Sequence, residues 1–360
     1  MKIGVNSRIY QNENTGIPYY IECLYKKLLK IDKSNRYIFF QIQRNKTIGK
    51  TKTINLPNNN LSTFLFDNFL INNLIDNEKI DIFHGPAHIL PFFKNKNIKY
   101  LLTVHDLSFL TLKNNQFLLF NLYYRYVIPR ALKNADIIIA DSRNTKEDIR
   151  RFYHIADNKI KVIYLGVNDI YFSLKKTKRL ITDRYFLSLT THPKRKNILR
   201  ILEILARNKN LSDYKYVIAG LIKGEQLSSL KKKVKELNLE NRVVVFGYAT
   251  EEGLKNLYQN AEFFIYPSFY EGFGLPILEA IACKCPVIAS NTSSIPEIYP
   301  DKNWLINPYN QDDISNKIDK MITLSKSERN CLIEKNYNFS KRFTWEETAQ
   351  NYLRLINSLI

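Results

Sequence analysis

Short runs of β-branched and aromatic residues, separated by longer stretches with helical spacing, recur along this chain. They are Lys2 to Val5, Tyr37 to Ile42, Ile80 to Phe83, Tyr100 to Val104, Ile137 to Ala140 and Lys161 to Tyr164. This rhythm limits the fold, because strands joined through helices pair in parallel and need both faces of their sheet covered. It restarts with Tyr185 to Leu189, Tyr216 to Ala219, Val243 to Phe246, Phe263 to Tyr266 and Val287 to Ala289. A chain of 360 residues also exceeds what one core usually organises. Two α/β domains are therefore expected, over residues 1–165 and 184–341, each around a parallel sheet.

Between them, residues 166–183 hold Gly166, Asn168 and the basic cluster Lys175, Lys176, Lys178 and Arg179 without a clear strand, and read as a linker. Residues 342–360 read as one more helix: Trp345, Ala349, Tyr352 and Ile356 recur at helical spacing, and Thr344 with Glu347 makes an N-terminal capping signal.

The formal charge of +20 and pI near 9.6 draw anions, whether nucleic acid, acidic lipid or a phosphorylated small molecule. Much of the excess is Lys scattered among Asn and Ile, which is more simply a solvated surface. Neither an aromatic stacking platform nor a nucleic-acid recognition motif is visible, so no nucleic-acid partner is expected. No apolar run approaches the roughly 20 residues that span a bilayer, so any membrane contact is expected to be peripheral. The opening residues carry no export signal, and four cysteines are too sparse for a disulfide framework. A cytoplasmic location is the expectation. Cys283 and Cys285 lack a second ligand pair, and no metal site is expected.

The sharpest motif is Ser268-Phe269-Tyr270-Glu271-Gly272-Phe273-Gly274-Leu275-Pro276-Ile277-Leu278-Glu279-Ala280, directly after the expected strand Phe263 to Tyr266. Pro276 suits a first helical turn, which places Gly272 and Gly274 in the preceding loop with its amides facing outwards. Exposed amides and the positive end of a helix make an anion site. Glu271 falls just before that helix and Glu279 inside it, and carboxylates beside an anion site suit the hydroxyl groups of a sugar or ribose. A second element, Thr190-Thr191-His192-Pro193-Lys194-Arg195-Lys196-Asn197, follows the first strand of the second domain, where open α/β sheets bind ligands. Arg195 and Lys196 suit a diphosphate that gains charge as its bond to a leaving sugar breaks.

With Pro286-Val287-Ile288-Ala289-Ser290 added, this ordered set resembles the retaining family 4 glycosyltransferases of GT-B fold. The resemblance runs over nearly the whole chain. It takes in Thr15-Gly16-Ile17, Val104-His105-Asp106-Leu107, Asn134-Ala135-Asp136, Asp141-Ser142, Tyr164-Leu165-Gly166-Val167, Ala219-Gly220 and Phe246-Gly247-Tyr248. Asn291-Thr292-Ser293-Ser294-Ile295-Pro296-Glu297 most resembles the mannosyltransferase branch. The resemblance implies two Rossmann-like domains facing a cleft, with an N-terminal acceptor domain, a C-terminal nucleotide-sugar domain and a last helix that crosses back to the first. It implies a hexosyltransferase that moves mannose from GDP-mannose, with retention and without a metal, onto a surface, lipopolysaccharide or capsular glycan that is free or lipid-linked. Glu279 would then hold the ribose, Glu271 with the Phe273, Gly274 and Leu275 amides the donor sugar, and Arg195 with Lys196 the diphosphate. Gly16 would let its loop approach the diphosphate, and His105 would lie by the sugar.

Some positions depart from the family pattern. Thr190 stands where many relatives have Gly, and either crowds the diphosphate or lends it a hydroxyl. Lys284 replaces a Gly, so its turn must avoid a positive backbone angle or tolerate strain. Asn307-Pro308 stands in place of Asp-Pro, in a stretch that lacks a common glycine. Elsewhere, His84 and His88 read either as structural or as lining the acceptor side. The aromatic stretch Phe117 to Tyr126 reads as a core helix or an interfacial one, and Arg44, Lys46, Lys50 and Lys52 as a solvated loop or a contact for anionic headgroups. A UDP-sugar donor, and less so nucleotide-sugar epimerisation, are the competing chemistries.

Overall fold

The computed structural model describes residues 1–11, 16–43, 47–57, 59–111, 118–175 and 178–359, without the side chains of residue 11 and of 118–125. The chain divides into two compact units, Met1–Gly166 with Trp345–Ile360, and Val167–Thr344.

The sheet of unit 1 contains β1 (Lys2–Asn6), β2 (Arg36–Gln41), β3 (Thr51–Thr53), β4 (Ile82–Gly85), β5 (Lys99–Val104), β6 (Ile137–Ala140) and β7 (Ile160–Val162). Its order is β3-β2-β1-β4-β5-β6-β7, every pairing parallel. Strands buried on both faces become nearly continuous apolar runs, as in Tyr100-Leu101-Leu102 and Ile137-Ile138-Ile139. The final helix, Trp345–Asn357, packs on the helix Ile17–Ile31. Tyr352 and Tyr25 bring their hydroxyls to 3.2 Å, and Thr348 donates to the Tyr164 carbonyl at 2.9 Å.

Unit 2 is built on β8 (Tyr185–Leu189), β9 (Lys215–Ala219), β10 (Val243–Gly247), β11 (Phe264–Tyr266), β12 (Val287–Ser290) and β13 (Leu305–Ile306), again parallel, in the order β10-β9-β8-β11-β12-β13. Phe186 stacks between Tyr216 and Phe263 in its core, with centroids at 4.7 and 5.0 Å. The segment read as a linker is partly built onto this unit. Val167 bridges Thr344, and the short helix Asp169–Phe172 buries Tyr171 against Tyr258.

In both sheets the order reverses beside the first strand, between β1 and β4 and between β8 and β11. Loops leaving the carboxyl ends of strands at such a reversal diverge to opposite faces and leave a crevice for ligands.

Candidate functional site

The loops that leave β8 and β11 flank the reversal in unit 2, and they carry the two motifs singled out from the sequence. After β8 the chain passes through Thr190 to Asn197, where Asn197 takes a left-handed conformation and the helix Ile198–Arg207 begins. After β11 it runs through Ser268 and Glu271 to Gly274, the residue that opens the helix Leu275–Ala282. Gly274 has φ +102°, a backbone that strains any L-residue, and a Cβ there would lie 3.0 Å from Ile298 Cδ1, which would have to give by a few tenths of an ångström. Pro276 lies in the first helical turn, where a missing N–H costs nothing. Leu275 is half-buried, and Phe273 is buried with its ring 6.2 Å from that of Phe343.

The two loops meet through charge. Lys196 Nζ lies 2.6 Å from Glu271 Oε1, and Arg195 Nη1 lies 3.9 Å from Glu271 Oε2. Ser268 donates to the same Glu271 oxygen, while Tyr266 at the end of β11 accepts from Lys196, whose ammonium also sits 4.3 Å from its ring centroid. Glu271 and Lys196 are both buried, and Arg195 is more accessible, with 22% of its side chain exposed. Burial works against the charge of Glu271, but Lys196, then Arg195 and the hydrogen bonds outweigh it and hold the carboxyl below its ordinary value.

Glu279 lies in the opposite electrostatic environment. It is buried inside the helix Leu275–Ala282, where Tyr258 donates to Oε2 at 3.4 Å. Burial, followed by the charge of Glu251, pushes its carboxyl up to about 8. Of the two acidic residues of the motif, one is therefore ionised and the other protonated at neutral pH, which divides their chemistry. Thr190 is buried, and its hydroxyl accepts the His192 N–H at 2.9 Å.

Unit 1 places His105 after β5, and its surroundings include the loop after β4 and Asp141 after β6. His105 Nδ1 lies 2.6 Å from Asp141 Oδ2, Nε2 lies 2.8 Å from the Pro86 carbonyl oxygen, and the Tyr20 ring packs edge-on at 4.8 Å. Gly16, ahead of the helix Ile17–Ile31, has φ +60° and ψ −123°, a conformation open to glycine, while a Cβ would meet nothing within 4 Å. His84 is a core residue held between Tyr25 and Thr103 at 2.5 and 2.7 Å, and burial, then the charge of His105, takes it down to about 3.

Two partners had no signal of their own in the sequence: Tyr258 and Tyr266 are ordinary residue types for helices and strands. Lys284 does adopt φ +60°, so its turn tolerates the strain, and its ammonium pairs with Glu334 at 2.5 Å. Lys50 and Lys52 face Glu78 at 4.0 and 2.6 Å, whereas Arg44, Lys46, Lys176 and Phe117 lie outside the described residues. In the aromatic stretch the described side chain is that of Tyr126, which is exposed. Among the described residues no three His, Cys, Asp or Glu side chains gather as metal ligands, and no helix is long and apolar enough to cross a membrane.

The chain matches known glycosyltransferases in sequence and in fold. Residues 172–339 match the family model of glycosyl transferases group 1, and residues 38–170 that of glycosyltransferase family 4. O-antigen chain mannosyltransferase B of Escherichia coli is 29% identical over 74% of this chain and 71% of its own. O-antigen chain mannosyltransferase RfbU of Salmonella typhimurium is 30% identical over 61% of this chain, a match that spans 59% of that relative. Among solved structures, a sucrose-phosphate synthase from Thermosynechococcus elongatus superposes with a TM-score of 0.80 at 19% identity, covering 100% of this chain and 99% of that one. WaaG, a glycosyltransferase involved in lipopolysaccharide biosynthesis, superposes at 0.75 and 14% identity over 99% of each chain. With the two family models together matching residues 38–170 and 172–339, and the solved structures sharing the two-sheet architecture, the chain belongs to the family 4 glycosyltransferases and is a glycosyltransferase of GT-B fold.

Proposed function

We propose that the chain transfers a hexose, mannose from GDP-mannose, to a growing lipopolysaccharide or capsular glycan, with retention of configuration and without a metal ion. The observation that carries this reading is the buried Lys196–Glu271 pair, with Arg195 beside it at the head of the helix Leu275–Ala282. Two cations and a helix N-terminus supply fixed positive charge for a diphosphate, and that charge counts most as the leaving group becomes more negative. Glu271, held ionised, accepts hydroxyls of the donor sugar beside the amides of Phe273, Gly274 and Leu275. Glu279 accepts the ribose hydroxyls, most strongly as the carboxylate it becomes on giving up its proton. Thr190 borders the diphosphate.

In the proposed transfer, the bond between the anomeric carbon and the diphosphate oxygen breaks on the face where the acceptor hydroxyl attacks. The acceptor oxygen bonds to that carbon, and its proton passes to the departing diphosphate. In unit 1, His105 serves as a fixed positive charge and Gly16 as a close backbone approach. The mannosyltransferase relatives support the choice of sugar, and a glycan acceptor on a lipid at the inner membrane face, met peripherally, fits the excess of +20.

A thermal-shift panel of GDP, UDP, ADP and dTDP with their sugar conjugates tests the reading, since a ligand stabilises the folded protein by mass action. A selective shift with GDP and GDP-mannose is expected. A UDP-selective shift keeps the enzyme and reassigns the sugar, and no shift with any nucleotide in folded protein overturns the donor site.

A further inference from the structure

The loop between β12 and the short helix Ile295–Ile298 breaks two local rules at adjacent residues. Ser293 has φ +51°, in the left-handed region where glycine is favoured. Ser294 occupies the N-cap of Ile295–Ile298, a position where serine usually accepts an N–H of its own helix, yet its side chain makes no such bond. Both hydroxyls are committed to the loop that carries Glu271. The Glu271 N–H donates to Ser293 Oγ at 2.9 Å, and Ser293 donates in turn to the Thr292 carbonyl at 2.8 Å. The buried Ser294 Oγ donates to the Glu271 and Phe273 carbonyls, at 2.9 Å each. Thr292 Oγ1 adds a bond to the Ser268 carbonyl at 3.1 Å, and Asn291 N–H ties the whole segment to the Ile306 carbonyl of β13 at 2.8 Å. Three successive hydroxyls thus brace one neighbouring loop, and Glu271 is held at both its N–H and its C=O.

We propose that Ser293 and Ser294 are positioning residues for glycosyl transfer, clamping the Glu271 peptide so that its carboxylate meets the donor sugar at a fixed height. This rests on the assignment of Glu271 to the donor sugar. Local rules broken at two neighbouring positions, each with its compensation in the same loop, are what functional positioning leaves in a fold. A side chain that is present but displaced by about 1 Å can lose a hundredfold in rate.

Ser293→Gly separates this role from a merely structural one. It removes the hydroxyl and at the same time relieves the left-handed backbone, so a structural role predicts equal or higher thermal stability with unchanged kinetics. The clamp predicts that kcat falls tenfold or more while the thermal midpoint holds or rises and nucleotide affinity stays within about threefold. Ser293→Ala removes the hydroxyl but keeps the strain; the same fall in kcat is expected with a lower midpoint. Turnover is read as nucleoside diphosphate released from GDP-mannose, or from the UDP-sugar that replaces it in the panel, with methyl α-mannoside as acceptor and with water alone. Glu271→Gln is measured alongside. Wild-type kcat in Ser293→Gly with an impaired Glu271→Gln overturns the clamp alone, and wild-type kcat in both overturns the assignment of Glu271 beneath it.

Discussion

Both ring nitrogens of His105 face acceptors: Nδ1 lies 2.6 Å from Asp141 Oδ2, and Nε2 lies 2.8 Å from the carbonyl oxygen of Pro86. A carbonyl cannot donate, and neither can an ionised carboxylate, so both contacts are satisfied together when the imidazole is doubly protonated. Burial opposes that charge, but Asp141 outweighs it and the value of His105 is raised. A raised folded value stabilises fully below the ordinary imidazole range near 6.5, and that contribution fades as pH rises through the folded value. Asp141→Asn should bring the His105 titration, read from imidazole nitrogen shifts, below 6.5. It should also cost about 3 kcal/mol of stability at pH 6, with the deficit narrowing towards alkaline pH. An unmoved His105 titration in the variant would show that Asp141 does not hold the proton.

Glu279 makes the opposite demand on pH. With its carboxyl at about 8, the free protein holds a proton there at neutral pH, and hydroxyls that donate to the carboxylate must displace it. Between pH 7 and 8 nucleotide affinity should rise with pH, by at most tenfold per unit, and level off above 8. The terminal phosphate of a diphosphate, with a second ionisation near 6, is already mostly charged in that window. Calorimetry in buffers of differing ionisation enthalpy should count up to one proton released on GDP binding at pH 7. Glu279→Gln should release none and lose the slope; a slope that survives the substitution assigns the proton elsewhere.

The Lys196–Glu271 pair predicts an acid-sensitive contribution to stability. Glu271 is held below its ordinary value, so its contribution is present above the usual carboxyl range and is lost as pH falls through the folded value. Lys196→Met leaves a buried carboxylate with Arg195 3.9 Å away as its remaining cation. Urea unfolding at pH 7 should show a loss of about 3 kcal/mol, shrinking below pH 4 as Glu271 takes a proton in wild type and variant alike. An equal loss at both pH values would attribute the effect to packing rather than charge.

The alternation of strands and helices was legible because strands covered on both faces must be apolar throughout. Ile137 to Ala140 and Tyr185 to Leu189 coincide with β6 and β8 to the residue. β3 and β13 were not legible. Thr51-Lys52-Thr53 is a polar strand at a sheet edge, and Leu305-Ile306 is too short to show any period. The Gly-rich motif and the basic element announced a site because glycine conformation and charge are properties of residue type. That Lys196 would reach Glu271, 75 positions away, is a consequence of β8 and β11 being neighbours, which no local pattern carries. The differing states of Glu271 and Glu279 are likewise tertiary: both are glutamates of one motif, and the cations of the β8 loop reach one of them. The raised value of Glu279 comes first from burial in the folded unit and then from Glu251, which belongs to another helix.

Gly274 offers a last test, in which backbone and packing act at one atom. Any L-residue at φ +102° is strained, at a cost of about 1–3 kcal/mol, and a Cβ would also press on Ile298 Cδ1 at 3.0 Å. Ile298 is fully buried, so it has little room to yield. Gly253, inside the helix Glu251–Asn260, is the internal control. It has no positive φ, and its Cβ would meet the Thr250 hydroxyl at 3.4 Å, an ordinary contact. Gly253→Ala should therefore stabilise by about 0.5–1 kcal/mol, the usual gain for alanine over glycine in a helix. Gly274→Ala should destabilise by at least about 2 kcal/mol and weaken GDP binding more than tenfold, because the strained residue sits where the helix amides turn towards the proposed diphosphate site. Calorimetric titration of both variants checks this. If Gly274→Ala lost stability but bound GDP as wild type does, Gly274 would shape the fold of the loop without shaping the anion site, and the diphosphate would have to be held by Arg195 and Lys196 alone.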